Sequence, residues 1–67
     1  MLEVGKVISY KNKEYVIVKL KELYNIKYAF LTNVDDETDF FFGKFVNDKL
    51  IEITDGKFIN LLLQEME

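Results

Sequence analysis

One stretch of sequence decides the fold, residues 14–34, which read EYVIVKLKELYNIKYAFLTNV. Apolar side chains recur at every second position along two runs, and a period of two is typical of half-buried β-strands. The pair Tyr24 and Asn25 separates the runs, and Asn tolerates the left-handed backbone of a tight turn. The stretch therefore predicts two long strands, at residues 14–23 and 26–34, joined by a sharp reversal.

Shorter β-rich runs flank this pair on both sides, and polar turn-forming residues bound each of them. They predict three further strands, at residues 6–10, 40–46 and 50–53. Because every connection is short, consecutive strands are expected to be antiparallel neighbours. Gly43 lies inside the fourth predicted strand, where a Gly often marks a bulge or a bend of the sheet.

The end of the chain changes from a period of two to a helical period. Apolar residues recur at intervals of four along one face, and neighbours widen the stripe: Phe58, Leu62 and Met66, with Ile59 and Leu63 beside them. This pattern is typical of an amphipathic helix. Thr54 and Asp55 precede it with N-cap chemistry, so we predict a helix over residues 55–66.

Together these elements predict an α+β fold in a single small domain, residues 1–67. Hydrophobic residues make up 49% of the chain, which is enough for one core. The favoured architecture is a curved five-stranded antiparallel meander with the C-terminal helix covering one face. A small, partly open barrel of the SH3 type is the alternative, and Gly43 would supply the curvature that either version needs.

The composition excludes most catalytic and metal chemistry, because the chain contains no His, Cys or Arg. Catalytic triads, Cys-His dyads and cysteine-ligated zinc are therefore ruled out, and no Arg fork is present for phosphate or guanine. We predict a protein that is not an enzyme and has no cofactor. The sequence lacks a signal peptide and any apolar run long enough to cross a bilayer, so a cytoplasmic location without membrane contact is expected.

The most conspicuous charged feature is the run DDETD at residues 35–39. Residues 35–67 carry nine acids and three Lys, a net charge of −6, whereas residues 1–34 carry a net charge of +3. A calcium-binding loop begun at Asp35 would need Gly at its sixth position and Glu at its twelfth, where this chain has Phe40 and Val46, so no metal site is predicted. The run is either a solvated turn or a contact loop for a basic patch on a protein partner. The candidate contact residues are Asp35, Asp36, Glu37 and Asp39.

A cluster of aromatic residues follows the acidic run directly. Its members, the candidate interface residues, are Phe40, Phe41, Phe42 and Phe45. Strand alternation sends Phe40 and Phe42 to one face and Phe41 and Phe45 to the other. The helix can cover one face, and the other must be covered by barrel closure, by a partner or by a second copy in a homodimer.

Lys and Tyr residues form a second candidate surface in the first half of the chain. Alternation along the second strand places Lys19 and Lys21 on the face of Tyr15. Aromatic residues between basic ones on a small sheet resemble single-stranded nucleic-acid platforms, although the net charge of −3 and the lack of Arg argue against nucleic acid. Nucleic-acid or small-ligand binding through this face is kept as the alternative function. Its candidate residues are Tyr15, Lys19, Lys21 and Tyr28.

Three segments carry a resemblance to a known group of proteins: residues 5–10 (GKVISY), 13–18 (KEYVIV) and 27–31 (KYAFL). They resemble small uncharacterised proteins of low-GC Gram-positive bacteria and their phages, which close with an acidic turn and a short helix. The resemblance implies no assigned activity. The function we expect is that of a non-catalytic protein-interaction module, for example a phage or mobile-element protein that binds and inhibits or adapts a host protein.

Overall fold

The structure is a computed structural model that describes residues 2–66, and it confirms the antiparallel meander. Within these residues, five strands are hydrogen-bonded in chain order and one helix follows them. The sheet curls into a half barrel. No helix in the described part of the chain is long and apolar enough to cross a membrane. The elements are β1 (Val7–Tyr10), β2 (Lys13–Leu23), β3 (Ile26–Asn33), β4 (Asp36–Val46), β5 (Lys49–Ile53) and α1 (Gly56–Glu65).

Apolar side chains pack on both faces of the sheet. On the concave face, residues from all five strands form one cluster, whose members include Ile8, Tyr10, Tyr15, Ile17, Leu20, Ala29, Leu31, Phe41, Phe45 and Leu50. On the convex face, α1 packs against the sheet, and its cluster includes Tyr28, Phe42, Ile53, Phe58, Ile59, Leu62 and Met66. The curl therefore covers one face with the sheet itself, and the helix covers part of the other.

A bulge in β2 changes which of its side chains face the concave core. Ile17 pairs with Leu31, but Lys19 pairs with Phe30, so Val18 is an extra residue on β2. Because side chains alternate along a strand, one extra residue exchanges the two faces beyond it. The predicted alternation is therefore wrong after Val18: Leu20 joins the concave core with Ile17, and Lys19 lies on the convex face.

The fourth strand begins earlier than predicted, at Asp36 instead of Phe40, and the third ends at Asn33. Asn33 pairs with Asp36 across a two-residue turn, but the next pair is Thr32 with Phe40, so three residues of β4 bulge out of the ladder. Most of the acidic run is therefore an irregular strand start and not a free loop. Thr38 is the one β-forming residue of the run, which is why its extended conformation is not visible in the sequence.

Gly43 allows the sheet to curl tightly, and it does so without the bulge that its position suggested. It pairs in regular register with Ala29 on β3 and with Glu52 on β5. A Cβ atom at this position would lie 2.7 Å from Leu50 Cδ1 and 3.3 Å from the carbonyl oxygen of Ile51. Two small residues side by side, Ala29 and Gly43, thus leave room for Leu50 on the concave face.

The helix follows the predicted pattern with one exception. The Asp55 side chain accepts a hydrogen bond from the Lys57 amide at 3.0 Å, which confirms the N-cap. Leu62 is fully buried against the sheet, whereas Leu63 is 51% exposed, at the edge of the apolar stripe. At the other end, Lys19 Nζ donates to the carbonyl oxygen of Met66 at 2.9 Å, so a sheet residue supplies the positive charge that a helix C-terminus favours.

Tyr24 is predicted to destabilise the hairpin that it forms. Tyr24 and Asn25 both have positive φ, 54° and 64°, as in the type I′ turns that favour Asn and Gly. Left-handed backbone costs a residue such as Tyr about 1–2 kcal/mol, and the Tyr24 side chain is 81% exposed. We expect Tyr24→Asn to raise the free energy of unfolding by about 0.5–1 kcal/mol in chemical denaturation. The control Tyr24→Phe keeps the strain and should leave stability unchanged; equal stabilities for the two variants would contradict this account.

Gly43→Ala is predicted to weaken the curl. The added methyl group must displace Leu50 and approach the β5 backbone, and overpacking of this kind costs about 1–3 kcal/mol. The matched control is Gly56→Ala at the start of α1, where a Cβ atom meets nothing within 4 Å. Thermal and chemical unfolding should show a clear loss of stability for the first variant and none for the second. A Gly43→Ala protein as stable as the Gly56→Ala control would show that the close approach is not required.

Candidate protein-binding site

The turn between β3 and β4 presents carboxylates on an ordered backbone. Asn33 Oδ1 accepts the Asp35 amide at 2.8 Å, and Asp36 Oδ1 accepts the amide and the hydroxyl of Thr38 at 3.0 and 2.6 Å. The hydrogen bonds from the Thr38 hydroxyl and amide lower the pKa of Asp36. Asp35, Asp36 and Glu37 are all exposed, and we call these three residues the acidic tip.

Asp39, the fourth acidic candidate, has a different role, because it is held within the sheet. Its Oδ2 atom accepts the Tyr15 hydroxyl at 2.9 Å and the Asn33 amide group at 3.1 Å, and Lys13 Nζ lies 3.6 Å away. The hydrogen bonds from Asn33 and Tyr15 lower the pKa of Asp39. In return, burial and then the bond to Asp39 raise the pKa of Tyr15. Asp39 therefore ties β2, β3 and β4 together and is not part of the acidic tip.

The four candidate Phe residues lie on the two faces as alternation predicted, but their environments differ. Phe41 is buried in the concave core and Phe45 is half-buried there, so the curl of the sheet covers them. Phe42 is buried under α1. Phe40 alone of the four is mostly exposed, at 54%, although β4 is an interior strand of the sheet.

Phe40 belongs to an apolar region of the convex face that lies beside α1 and that α1 leaves partly exposed. Its ring lies 5.5 Å from that of Phe30, and Thr32 and Val16 continue the same cross-strand row. Beside this row, a groove of about 390 Å³ lies along the edge of α1, and its walls are formed by Lys19, Phe30, Phe42, Leu63 and Met66. We call this region the binding strip; its residues are Val16, Phe30, Thr32, Phe40 and Leu63.

The acidic tip lies directly beside the binding strip. A second depression, of about 400 Å³, is lined both by Val16 and Thr32 of the strip and by the three tip residues. An apolar surface with a one-sided acidic border can bury a partner's apolar side chains and attract basic residues at their edge. Sequence reasoning missed Phe30, Val16, Thr32 and Leu63 as site residues. A signal for Phe30 was present in the sequence, because Phe30 lies on the same apolar face of the predicted third strand as Ile26 and Tyr28.

The structure separates Tyr15 from the other three Lys and Tyr candidates. Tyr15 is buried in the concave core, whereas Tyr28 is buried on the convex face with its ring 5.1 Å from that of Phe58 on α1. Lys19 is bound to the helix C-terminus, and Lys21 lies opposite Tyr28 on the convex face. The bulge at Val18 separates Tyr15 from both lysines, so the four residues do not share one face, whereas Lys19, Lys21 and Tyr28 do.

Within residues 2–66, no group of three acidic side chains is arranged to hold a metal ion. The chain matches no family model, no curated protein and no solved structure. The resemblance to small proteins of low-GC Gram-positive bacteria and their phages stays a prediction. The binding strip and the acidic tip are therefore the features that bear on function.

The role assigned to Asp39 predicts a specific dependence of stability on pH. Because the fold lowers the pKa of Asp39, its contribution is present above the pKa of an unfolded carboxyl group, about 3.9, and is lost as the pH falls through the lower folded value. We expect Asp39→Asn to be less stable than the parent protein at pH 7 and to lose less stability in acid, so that the two curves converge below about pH 4.

Chemical denaturation at a series of pH values measures this difference. The control is Asp35→Asn at the acidic tip, where the side chain is exposed. The free energy of unfolding of this variant should follow that of the parent protein at every pH. Parallel curves for the Asp39→Asn variant and the parent protein would show that the bonds from Tyr15 and Asn33 do not favour the ionised carboxylate.

Proposed function

We propose that this protein is a non-catalytic protein-binding module, and that the binding strip and the acidic tip contact a partner surface with an apolar centre and a basic border. The observation that carries the proposal is Phe40, an aromatic residue that is 54% exposed on an interior strand, beside Phe30. Aromatic side chains are enriched among the residues that dominate binding energy at protein interfaces.

The binding strip and the acidic tip contribute differently to binding. Burying apolar area on the strip contributes roughly 25 cal/mol per Å² and favours a long-lived complex. The acidic tip adds a local negative potential, which speeds encounter with a basic surface more than it strengthens the final complex. The same potential repels phosphate, so nucleic acid is a poor partner for this face.

The composition and the titratable groups also support a non-catalytic function. The chain lacks His, Cys and Arg. The raised pKa of Tyr15 follows from its burial and its bond to Asp39, and the lowered pKa values of Asp36 and Asp39 follow from hydrogen bonds within the turn and between strands. A phage or mobile-element protein that inhibits or adapts a host protein is one instance of such a module, and it too stays a proposal. A second copy of the chain is the other candidate partner for the strip.

The first test compares capture by matched variants. Phe40→Ser should remove the partner, because the strip loses its most exposed ring, while its stability stays within about 1 kcal/mol of the parent protein. Affinity capture from a lysate of the encoding organism, followed by mass spectrometry, is run with the parent, with Phe40→Ser and with the control Tyr24→Phe, which lies on another turn. Proteins held by the parent and the control but not by Phe40→Ser are the expected result; identical sets from all three would refute the proposal.

The second test separates steering from affinity. With the captured protein as the probe, the triple variant Asp35→Asn, Asp36→Asn, Glu37→Gln should slow association by about tenfold at low salt and change dissociation little. Glu22→Gln, at the far end of β2, is the matched control and should associate like the parent. Sedimentation at micromolar concentration identifies the case in which a second copy occupies the strip, because Phe40→Ser would then convert a dimer to a monomer.

A further inference from the structure

The half barrel has an open seam between its outer strands. β1 and β5 lie at opposite ends of the strand order and are not hydrogen-bonded to each other in the described part of the chain. A groove of about 810 Å³ runs along this seam, lined by all four residues of β1 and by Phe45, Lys49 and Leu50. It lies on the side of the sheet opposite the binding strip.

The backbone along the seam is not used by the sheet. β1 and β2 are joined by a two-residue turn, which makes Tyr10 and Lys13 a hydrogen-bonded pair, and the bonded pairs then alternate along the strand. The N–H and C=O groups of Val7 and Ser9 therefore point away from β2. By the same alternation from the pair Val46 and Lys49, those of Leu50 and Glu52 point away from β4.

The two free edges have the same direction. Each of the four strand pairs is antiparallel, so β1 and β5 run parallel to each other. One additional strand placed between them would be antiparallel to both, and it would complete a six-stranded antiparallel barrel. Antiparallel addition of an extended segment to a free edge is an established mode of peptide recognition.

The side chains of the seam specify which segment fits. Ile8, Tyr10, Phe45 and Leu50 belong to the concave core, so every second residue of an inserted strand would meet an apolar floor. The charged residues along the groove are Lys6, Lys27, Lys49 and Asp48, an excess of positive charge. At the end near the β1–β2 turn, Lys11 Nζ lies 3.8 Å from Glu52 Oε1, so these two side chains already meet across the seam.

We propose that the seam between β1 and β5 is a second binding site, which accepts an extended peptide segment of a partner protein as an added β-strand. The segment has apolar residues at alternate positions and a net negative charge. This site lies on the concave side, and it is independent of the protein-binding function proposed for the binding strip.

A displayed library of random 12-residue peptides tests the proposal with the folded protein as bait. Enriched peptides should alternate apolar and other residues and carry an excess of Asp and Glu. When a selected peptide binds, the amides of Val7, Ser9, Leu50 and Glu52 should exchange more slowly with deuterated solvent, as measured by NMR. This readout uses the parent protein and needs no variant.

Two variants then test the backbone and the charge separately. Ser9→Pro removes the outward N–H group without touching a β1–β2 hydrogen bond and should weaken binding by about five- to tenfold, whereas the control Ser9→Thr keeps the N–H group and the affinity. When the double variant Lys27→Glu, Lys49→Glu is the bait, the same library should yield basic peptides in place of acidic ones.

Three results would overturn the inference: no enrichment by the parent protein, enriched peptides that leave the exchange of the Val7 and Ser9 amides unchanged, or binding that Ser9→Pro and Ser9→Thr affect equally. Phe40→Ser distinguishes this site from the function proposed above. It should abolish capture through the binding strip and leave peptide affinity at the seam unchanged.

Discussion

Strands β3 and β4 carry apolar side chains on both faces of the sheet, and a single helix of ten residues can cover only one of these faces. The curl of the sheet resolves this constraint. It brings β1 toward β4 across the concave face, so that Tyr10 stacks on Phe41 with ring centroids 5.0 Å apart. The curl in turn depends on two small residues, Ala29 and Gly43, which leave space for Leu50 on the concave side.

Both proposed surfaces follow from what this solution leaves uncovered. The helix packs over Tyr28 and Phe42 but ends before Phe40, which leaves an apolar strip beside the acidic tip. The curl stops short of closing, which leaves a seam with free backbone edges and several lysines. The partners proposed for the two surfaces differ accordingly: a basic surface for the binding strip and an acidic segment for the seam.

The sequence predicted the order and type of every element because periodicity and turn residues are local signals. It did not predict the bulge at Val18, since no residue type marks the site, and one extra residue was enough to move Lys19 and Lys21 away from the face of Tyr15. It also grouped Asp39 with its acidic neighbours. The bonds that Asp39 accepts come from Tyr15, on another strand, and from Asn33, so they depend on register, which composition does not reveal.

Phe41 and Phe42 are buried on opposite faces of the sheet, while Phe40 stays exposed. Paramagnetic broadening of the aromatic proton signals by a neutral gadolinium chelate measures this directly in solution. We expect strong broadening for the Phe40 ring and weak broadening for those of Phe41 and Phe42 at low protein concentration. Strong broadening of Phe41 would show that the sheet does not curl, and protection of Phe40 equal to that of Phe42 would show that the binding strip is not a free surface.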